Sequence, residues 1–313
     1  MPELAEVESY RRLAEGRALG REIVVVVAPD AWYLKGGLTA AALAPALEGR
    51  SFVEARRRGK VLLLASSGDG PVLGLRFGMS GRLLVDDVAA VEELWYASNR
   101  EEARWDRFAV EFADGGRLAM RDPRRLGGVT LDPSLARLGP DALTVTLGQL
   151  RIALSPGRGH RSSLDGAASG HRAPRDGAAT DTAAADRRAP AAVSGVGPTS
   201  GGAEGSTSRT SLKGRLMDQS RLAGVGNLAA DEILWRAGLD PTRSASSLTD
   251  TELRRLHRHL RQTLRQLLER GGSHTGDLMP QRHPGGRCPK DGTALLRATV
   301  ATRTTWWCPK HQH

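Results

Sequence analysis

Apolar positions in the first 132 residues come in short bursts, and their period changes once along the chain. Leu4, Val7, Tyr10, Leu13 and Leu19 stand at roughly helical spacing, and the run closes on Gly16 and Gly20, which predicts a short opening helix. The segments 21–28, 51–55, 60–66, 71–77, 82–86, 107–113, 117–121 and 127–131 are short and rich in Val and Leu, with turn signals such as Asp69-Gly70 and Asp114-Gly115-Gly116 between them. They predict an antiparallel sandwich or barrel of about eight strands. From Leu147 the pattern turns helical, over 147–154, 212–219, 228–237 and 249–269. The last of these opens with Thr249 and Glu252 at capping-box spacing and stops at Gly271-Gly272. The stretch 156–210 holds Gly, Ala, Ser, Thr, Pro, Asp and Arg with no aromatic residue, so a disordered insertion is expected there. From His283 onward the chain reads as a glycine-punctuated hairpin with ligand residues at both ends.

Composition narrows the partner. Lys and Arg outnumber Asp and Glu by 45 to 35, and the sequence pI near 10.5 points to a polyanion, nucleic acid before membrane. Arginine supplies nearly all of the positive charge. The five lysines, Lys35, Lys60, Lys213, Lys290 and Lys310, therefore merit individual attention. The two cysteines, Cys288 and Cys308, sit in knuckle-like contexts with Pro289, Lys290, Pro309, Lys310 and His311, which suggests metal binding in a reducing cytoplasm and not a disulfide framework. The longest aliphatic run, Ile23 to Ala28, is too short to span a bilayer, and the acidic N-terminus does not resemble a signal peptide.

Candidate chemistry begins at Met1-Pro2-Glu3. Removal of Met1 would leave a secondary amine on Pro2, and an α-amino group titrates near neutrality (about 8), so much of it is nucleophilic at physiological pH. Attack on C1′ of a deoxyribose would expel the base and leave an iminium ion. That cation acidifies the C2′ proton, and β-elimination of the 3′ phosphate follows. Glu3 is the nearest carboxyl able to protonate the sugar or the leaving group. Pro2-Glu3 is equally an ordinary helix start, so other features have to decide. The loop Arg221-Leu222-Ala223-Gly224-Val225-Gly226-Asn227, directly before a predicted helix, has the form of an anion site.

The motifs Pro2-Glu3-Leu4-Ala5-Glu6-Val7-Glu8, Arg56-Arg57-Arg58-Gly59-Lys60, Gly78-Met79-Ser80-Gly81, Asp122-Pro123-Arg124-Arg125 and Asp218-Gln219 through Asn227, followed by the knuckle hairpin, occur in this order. As a set they resemble the formamidopyrimidine-DNA glycosylase and endonuclease VIII family of bacterial repair enzymes. The resemblance covers the chain outside the insertion, and Ala5 stands where a second proline is usual.

The resemblance implies an α+β protein: an N-terminal antiparallel β-sandwich (1–132), a helix-two-turn-helix domain (133–155 with 211–272), the insertion (156–210) and a zinc-finger hairpin (273–313). It implies a bifunctional glycosylase and abasic-site lyase that excises oxidised bases from damaged double-stranded DNA, as a cytoplasmic monomer with no small-molecule cofactor. Pro2 is then the Schiff-base nucleophile, Glu3 the acid and Lys60 the ammonium that binds phosphate and assists β-elimination, or β,δ-elimination. Met79, Arg124 and Leu126 fall on positions that fill the stack vacated by a flipped nucleotide. Lys213 and Asn227 fall on phosphate contacts and Arg303 near the tip of the hairpin. Purine-specific members carry a long loop after the final helix, whereas here only residues 273–287 precede Cys288. That shortness favours oxidised pyrimidines or ring-opened purines over 8-oxoguanine.

One structural Zn2+ is expected on Cys288, Cys308 and His311. For the fourth ligand His283 is preferred, because zinc favours imidazole over carboxylate and Pro284-Gly285-Gly286 would let the ring fold back. Asp291 and His313 are the alternatives. Two rival functions remain at this point: a non-catalytic protein that binds abasic or damaged DNA, and a zinc-ribbon regulator that reads sequence.

Overall fold

The computed structural model describes residues 2–91, 94, 102–156 and 211–313. All of the expected insertion beyond residue 156 lies outside the described residues. The helix α1 (Leu4–Arg17) opens the chain, and nine strands follow: β1 (Ile23–Val27), β2 (Phe52–Arg58), β3 (Val61–Ser66), β4 (Val72–Arg76), β5 (Arg82–Val85), β6 (Val88–Ala89), β7 (Asp106–Phe112), β8 (Arg117–Arg121) and β9 (Gly128–Leu131). They form two antiparallel sheets, ordered β1-β7-β8-β5-β6 and β2-β3-β4-β9. Alternating side chains of both sheets, such as Leu62, Leu64, Leu73 and Leu75 against Phe108, Val110 and Leu118, bury one core.

Three features of this half differ from expectation. The strand β2 runs on to Arg58, because the arginine run pairs with Val61–Leu63 as part of the ladder. The two-residue strand β6 is an addition to the expected eight. A helix, α2 (Ala40–Leu47), occupies a segment that carries no periodic signal. Its alanines favour helix, Thr39 caps it by accepting from the N–H of Ala42, and Leu43 and Leu47 are its only buried anchors.

The helical half comprises α3 (Leu147–Leu154), α4 (Leu212–Met217), α5 (Asn227–Ala237) and α6 (Asp250–Glu269). Leu253, Leu256, Leu260, Leu264, Leu267 and Leu268 repeat every three or four residues along α6 and are buried, which packs it against α5, α1 and α3. The opening helix serves both cores: Leu4 and Ala5 belong to the helical one, Val7, Tyr10 and Ala14 to the sandwich. This shared helix brings the start of the chain against the segment that joins α4 to α5. The chain closes in a hairpin of β10 (Leu296–Val300) and β11 (Arg303–Trp307). Ala301 and Thr302 both take positive φ, 49° and 62°, as a tight two-residue hairpin turn demands. No helix among the described residues is long and apolar enough to cross a membrane.

Candidate active site and metal centre

The start of α1 and the start of α5 share one carboxylate. Glu3 is buried, and its Oε atoms accept from the backbone N–H groups of Gly226 (3.0 Å), Leu228 (2.9 Å) and Ala229 (3.1 Å). These are the orphan donors of the α5 N-terminus, so a side chain 223 residues away in sequence caps that helix. The loop is shaped for the contact. Gln219 accepts from Gly224 N–H and donates to the carbonyls of Met217 and Val225, while Leu4 N–H donates to Gly224 O. Gly224 has φ of 116°, and a Cβ on Gly226 would lie 2.2 Å from Glu3 Cδ, so only glycine admits the carboxylate.

Glu6 continues the arrangement. It accepts from Glu3 N–H (2.8 Å) and from the N–H and hydroxyl of Ser273 (2.5 and 2.7 Å), tying α1 to the turn after α6. Neither Glu6 nor Ser273 was singled out from the sequence, although Glu3 and Glu6 stand at capping-box spacing. Pro2 is buried at this junction.

Lys60 reaches the same corner from the β2–β3 turn. Gly59, at φ 57°, lets the turn lie against Ala223, whose Cβ would be 2.8 Å from a Cβ at that position. Asp141 Oδ2 accepts from Gly59 N–H (2.7 Å) and from Arg57 (2.6 Å), and Arg57 also pairs with Glu8 (2.9 Å). Arg57 is thus a brace for the turn. Burial pushes the Glu3 carboxyl above the ordinary carboxylate range; Lys60 opposes this shift, Glu6 reinforces it, and the N–H groups of Leu228 and Ala229 oppose it again. Burial pushes the Lys60 ammonium below its usual value, against the attraction of Glu3 and Glu6 and with help from Arg303. Arg303, exposed just past the hairpin tip, therefore lies within electrostatic reach of Lys60. A carboxyl inclined to hold its proton and an amine inclined to release one form a corner suited to proton transfer beside an anion.

A second constellation belongs to the sandwich. Asp122 accepts from the hydroxyl of Ser80 (2.5 Å) and from the N–H groups of Arg124 (3.2 Å) and Gly127 (2.8 Å). A Cβ on Gly78 would fall 2.3 Å from the carbonyl carbon of Leu126, so the two loops are in backbone contact. Arg124 is exposed, Leu126 is 50% exposed and Met79 is half-buried. The three expected wedge residues are thereby presented from adjoining loops on a rigid mount. An exposed leucine argues against a role in core packing.

Two expectations at the helical side need correction or refinement. Lys213, expected at phosphate, is 0% exposed; its Nζ pairs with Asp231 (2.6 Å) and donates to the hydroxyl of Thr305 (2.7 Å). Asp231 also holds Arg282 (2.8 Å), so this buried carboxylate fastens α4 and α5 to the hairpin, and Lys213 is closed off from DNA. Asn227, expected at a flanking phosphate, is the first residue of α5, directly after the cap position Gly226; it is buried, and its Oδ1 has no hydrogen-bond partner among the described residues.

At the hairpin base, one donor atom from each of Cys288, Asp291, Cys308 and His311 lies within 4.8 Å of the others. His311 Nδ1 is 3.5 Å from Cys288 Sγ and from Asp291 Oδ2, which is 3.4 Å from Cys308 Sγ. Tetrahedral zinc with nitrogen, oxygen and thiolate ligands needs donor separations of roughly 3.3–3.8 Å, so this set fits. His311 Nε2 faces the carbonyl of Trp235 at 3.0 Å, which requires the proton on Nε2 and leaves the Nδ1 lone pair toward the cluster. The indole N–H of Trp235 points at Cys288 Sγ (3.4 Å).

His283, expected as the fourth ligand, stands outside the cluster. It is exposed, its Nδ1 lies 2.9 Å from Pro284 O, and Gly286 N–H donates to His283 O. The glycines close a turn of their own instead of folding the ring back. Asp291 takes the fourth position because Gly292 N–H donates to Cys288 O and Cys288 N–H to Thr293 O, a tight turn that brings Asp291 back beside Cys288. His313 is likewise outside the cluster.

Residues 1–129 match the family model of the formamidopyrimidine-DNA glycosylase N-terminal domain, and residues 202–278 that of the formamidopyrimidine-DNA glycosylase H2TH domain. A formamidopyrimidine-DNA glycosylase of Thermus thermophilus is 32% identical over 339 residues, covering 100% of this chain and 98% of that protein. The chain belongs to the formamidopyrimidine-DNA glycosylase family. A relative of the same name from Symbiobacterium thermophilum is 31% identical, with 100% of this chain and 89% of its own length covered. Among solved structures, the Lactococcus lactis Fpg in complex with DNA containing an abasic site is similar, with a TM-score of 0.70, 22% identity and 99% of each chain covered. A structure of MutM with DNA containing carbocyclic 8-oxo-G gives 0.69 at 23% identity, with 100% of each chain covered. These two likenesses concern the fold.

Proposed function

We propose that the protein is a DNA repair glycosylase with abasic-site lyase activity, acting as a monomer on oxidised bases in duplex DNA. The observation that carries this reading is the Glu3 carboxylate, held by three N–H groups at the head of α5 beside Pro2 and within electrostatic reach of Lys60. Removal of Met1 frees the Pro2 amine, which attacks C1′. Burial keeps Glu3 protonated to higher pH than an ordinary carboxyl, so it can give that proton to the sugar oxygen or the departing base. The base leaves, the iminium forms, and loss of the C2′ proton expels the 3′ phosphate. Lys60, with Arg303 nearby, balances the charge of that phosphate. Met79, Arg124 and Leu126 fill the gap in the stack, and Asn227 meets a flanking phosphate.

The Cys288, Asp291, Cys308 and His311 donors would hold one Zn2+. The ion supplies no step; bound, it ties the two ends of the hairpin so that Arg303 is presented. The short span between α6 and Cys288, folded into turns at Ser273–Thr275 and Met279–Gln281, supports a preference for oxidised pyrimidines or ring-opened purines over 8-oxoguanine. The name of the relatives agrees with ring-opened purines.

Borohydride trapping on DNA with an abasic site tests the reading. The processed protein should give a covalent adduct and the Pro2→Gly variant none. A protein that binds such DNA tightly but forms no adduct would instead be the non-catalytic binder.

A further inference from the structure

The arginines of this protein divide into two populations. Arg57, Arg121, Arg125, Arg236, Arg243 and Arg270 each hold a carboxylate at 2.6–2.7 Å. On the outer face of α6, Arg258, Arg261 and Arg265 pair with no carboxylate among the described residues, and the buried Nε of Arg261 has no acceptor. Their spacing of three and four residues sets them in one row about 10 Å long.

Arg261 and Arg265 wall two adjoining depressions, of about 530 and 330 Å3, which also share Glu269 and together make a groove, and Arg258 lines the larger of them. The smaller depression reaches α1 through Arg12, and Leu143 and Leu268 line it. The groove thus combines cationic walls with apolar lining, and the catalytic corner uses none of these residues.

We propose that this groove is a docking site for an acidic peptide segment of a partner protein that carries an apolar side chain among its carboxylates. Arginine forks pair with carboxylates in two-point geometry through their terminal N–H groups. Exposed ion pairs are individually weak, so the apolar side chain on Leu143 and Leu268 supplies the anchor. A phosphodiester backbone fits less well, because it offers no apolar side chain for the leucines. The expected affinity is micromolar, on the order of 10 μM, as for transient recruitment.

The probe is a fluorescein-labelled peptide, Asp-Glu-Asp-Leu-Asp-Phe, against Asn-Gln-Asn-Leu-Asn-Phe as its neutral counterpart, read by anisotropy. The full-length protein should bind the acidic peptide at least about tenfold more tightly than the neutral one. Combined Arg258→Gln, Arg261→Gln and Arg265→Gln should remove that difference, while Arg17→Gln, Arg104→Gln and Arg137→Gln, which delete equal charge elsewhere, should leave it within about twofold. No preference for the acidic peptide, or equal loss in the two triple variants, would overturn the proposal. So would a groove variant that keeps the peptide but loses undamaged duplex DNA, which would make this a nucleic-acid face. A photo-reactive form of the peptide gives a reading on unaltered protein: crosslinks to α6, Arg12 or Leu143 support the groove, and crosslinks elsewhere reject it.

Discussion

The Glu3–Lys60 corner and the Cys288–His311 donor cluster are built on opposite principles. At the corner, one carboxylate from the third residue of the chain is held by N–H groups of residues 226, 228 and 229, and a lysine arrives from a separate turn. Its groups come from three distant parts of the chain, residues 2–6, Lys60 and residues 226–229, so its geometry depends on two cores packing correctly against the shared helix α1. At the cluster, two local turns, Cys288–Asp291 and Cys308–His311, each supply a donor pair, and little beyond hairpin register is needed to bring them together. The corner should therefore be sensitive to small steric changes far from its reacting groups. The cluster should be sensitive to donor identity and tolerant of much else.

Gly226→Ala is the sharpest test of the first half of that contrast. The added Cβ would sit 2.2 Å from Glu3 Cδ, so the carboxylate must leave the α5 N-terminus or the loop must shift. We expect base excision in single-turnover assays to fall by about 100-fold or more, because misplacing a catalytic group by an ångström has that scale of effect. Bound metal should be unchanged. Full activity in the variant would show that the three N–H contacts do not position Glu3.

A matched pair of substitutions addresses the cluster. Asp291→Ala removes one of four donors and should lower bound zinc per protein well below one, with loss of hairpin order on heating. His283→Ala should retain the metal, since that ring stands outside the donor set. Metal analysis of both proteins after dialysis against a mild chelator checks this; the reverse pattern would restore His283 as a ligand.

The same contrast explains what could be read from the chain. The strands and the helices 147–154 and 249–269 were legible because burial imposes a period on their apolar residues, and the α+β architecture followed. The helix α2 was not, because an alanine run carries propensity but no periodic contrast. At the corner, residue types pointed to Pro2 and Glu3 and the family resemblance to Lys60, yet Glu6 and Ser273 were missed since their roles are pairwise and 267 residues apart. Lys213 was expected at phosphate because the family resemblance puts it there. What reverses it is Asp231, on the neighbouring helix, and sequence spacing does not reveal which lysine that carboxylate will claim. At the cluster, donor preference for imidazole outweighed spacing in the choice of His283, whereas the turn at Gly292 makes spacing decisive.

The mildest perturbation concerns Lys60 and separates electrostatics from position. On pre-formed abasic DNA the lyase rate should rise as the Pro2 amine loses its proton, near pH 8 for an unperturbed α-amino group (about 8), and fall again as Lys60 becomes neutral. Because burial lowers the Lys60 value, that descending limb should begin below the usual lysine range. The sign for stability runs the other way. A lowered amine value means that the folded state gives up this proton first, so between the shifted and the ordinary value the contribution of Lys60 to stability increases with pH. Loss of activity in that window would then reflect lost phosphate binding and not unfolding. Lys60→Arg keeps the charge at all accessible pH, so it should move the descending limb up by about one pH unit or more, at a moderate loss, roughly tenfold, in the rate at neutral pH because the fork cannot reproduce the ammonium geometry. A descending limb unmoved by Lys60→Arg would assign it to another group and remove Lys60 from the elimination step.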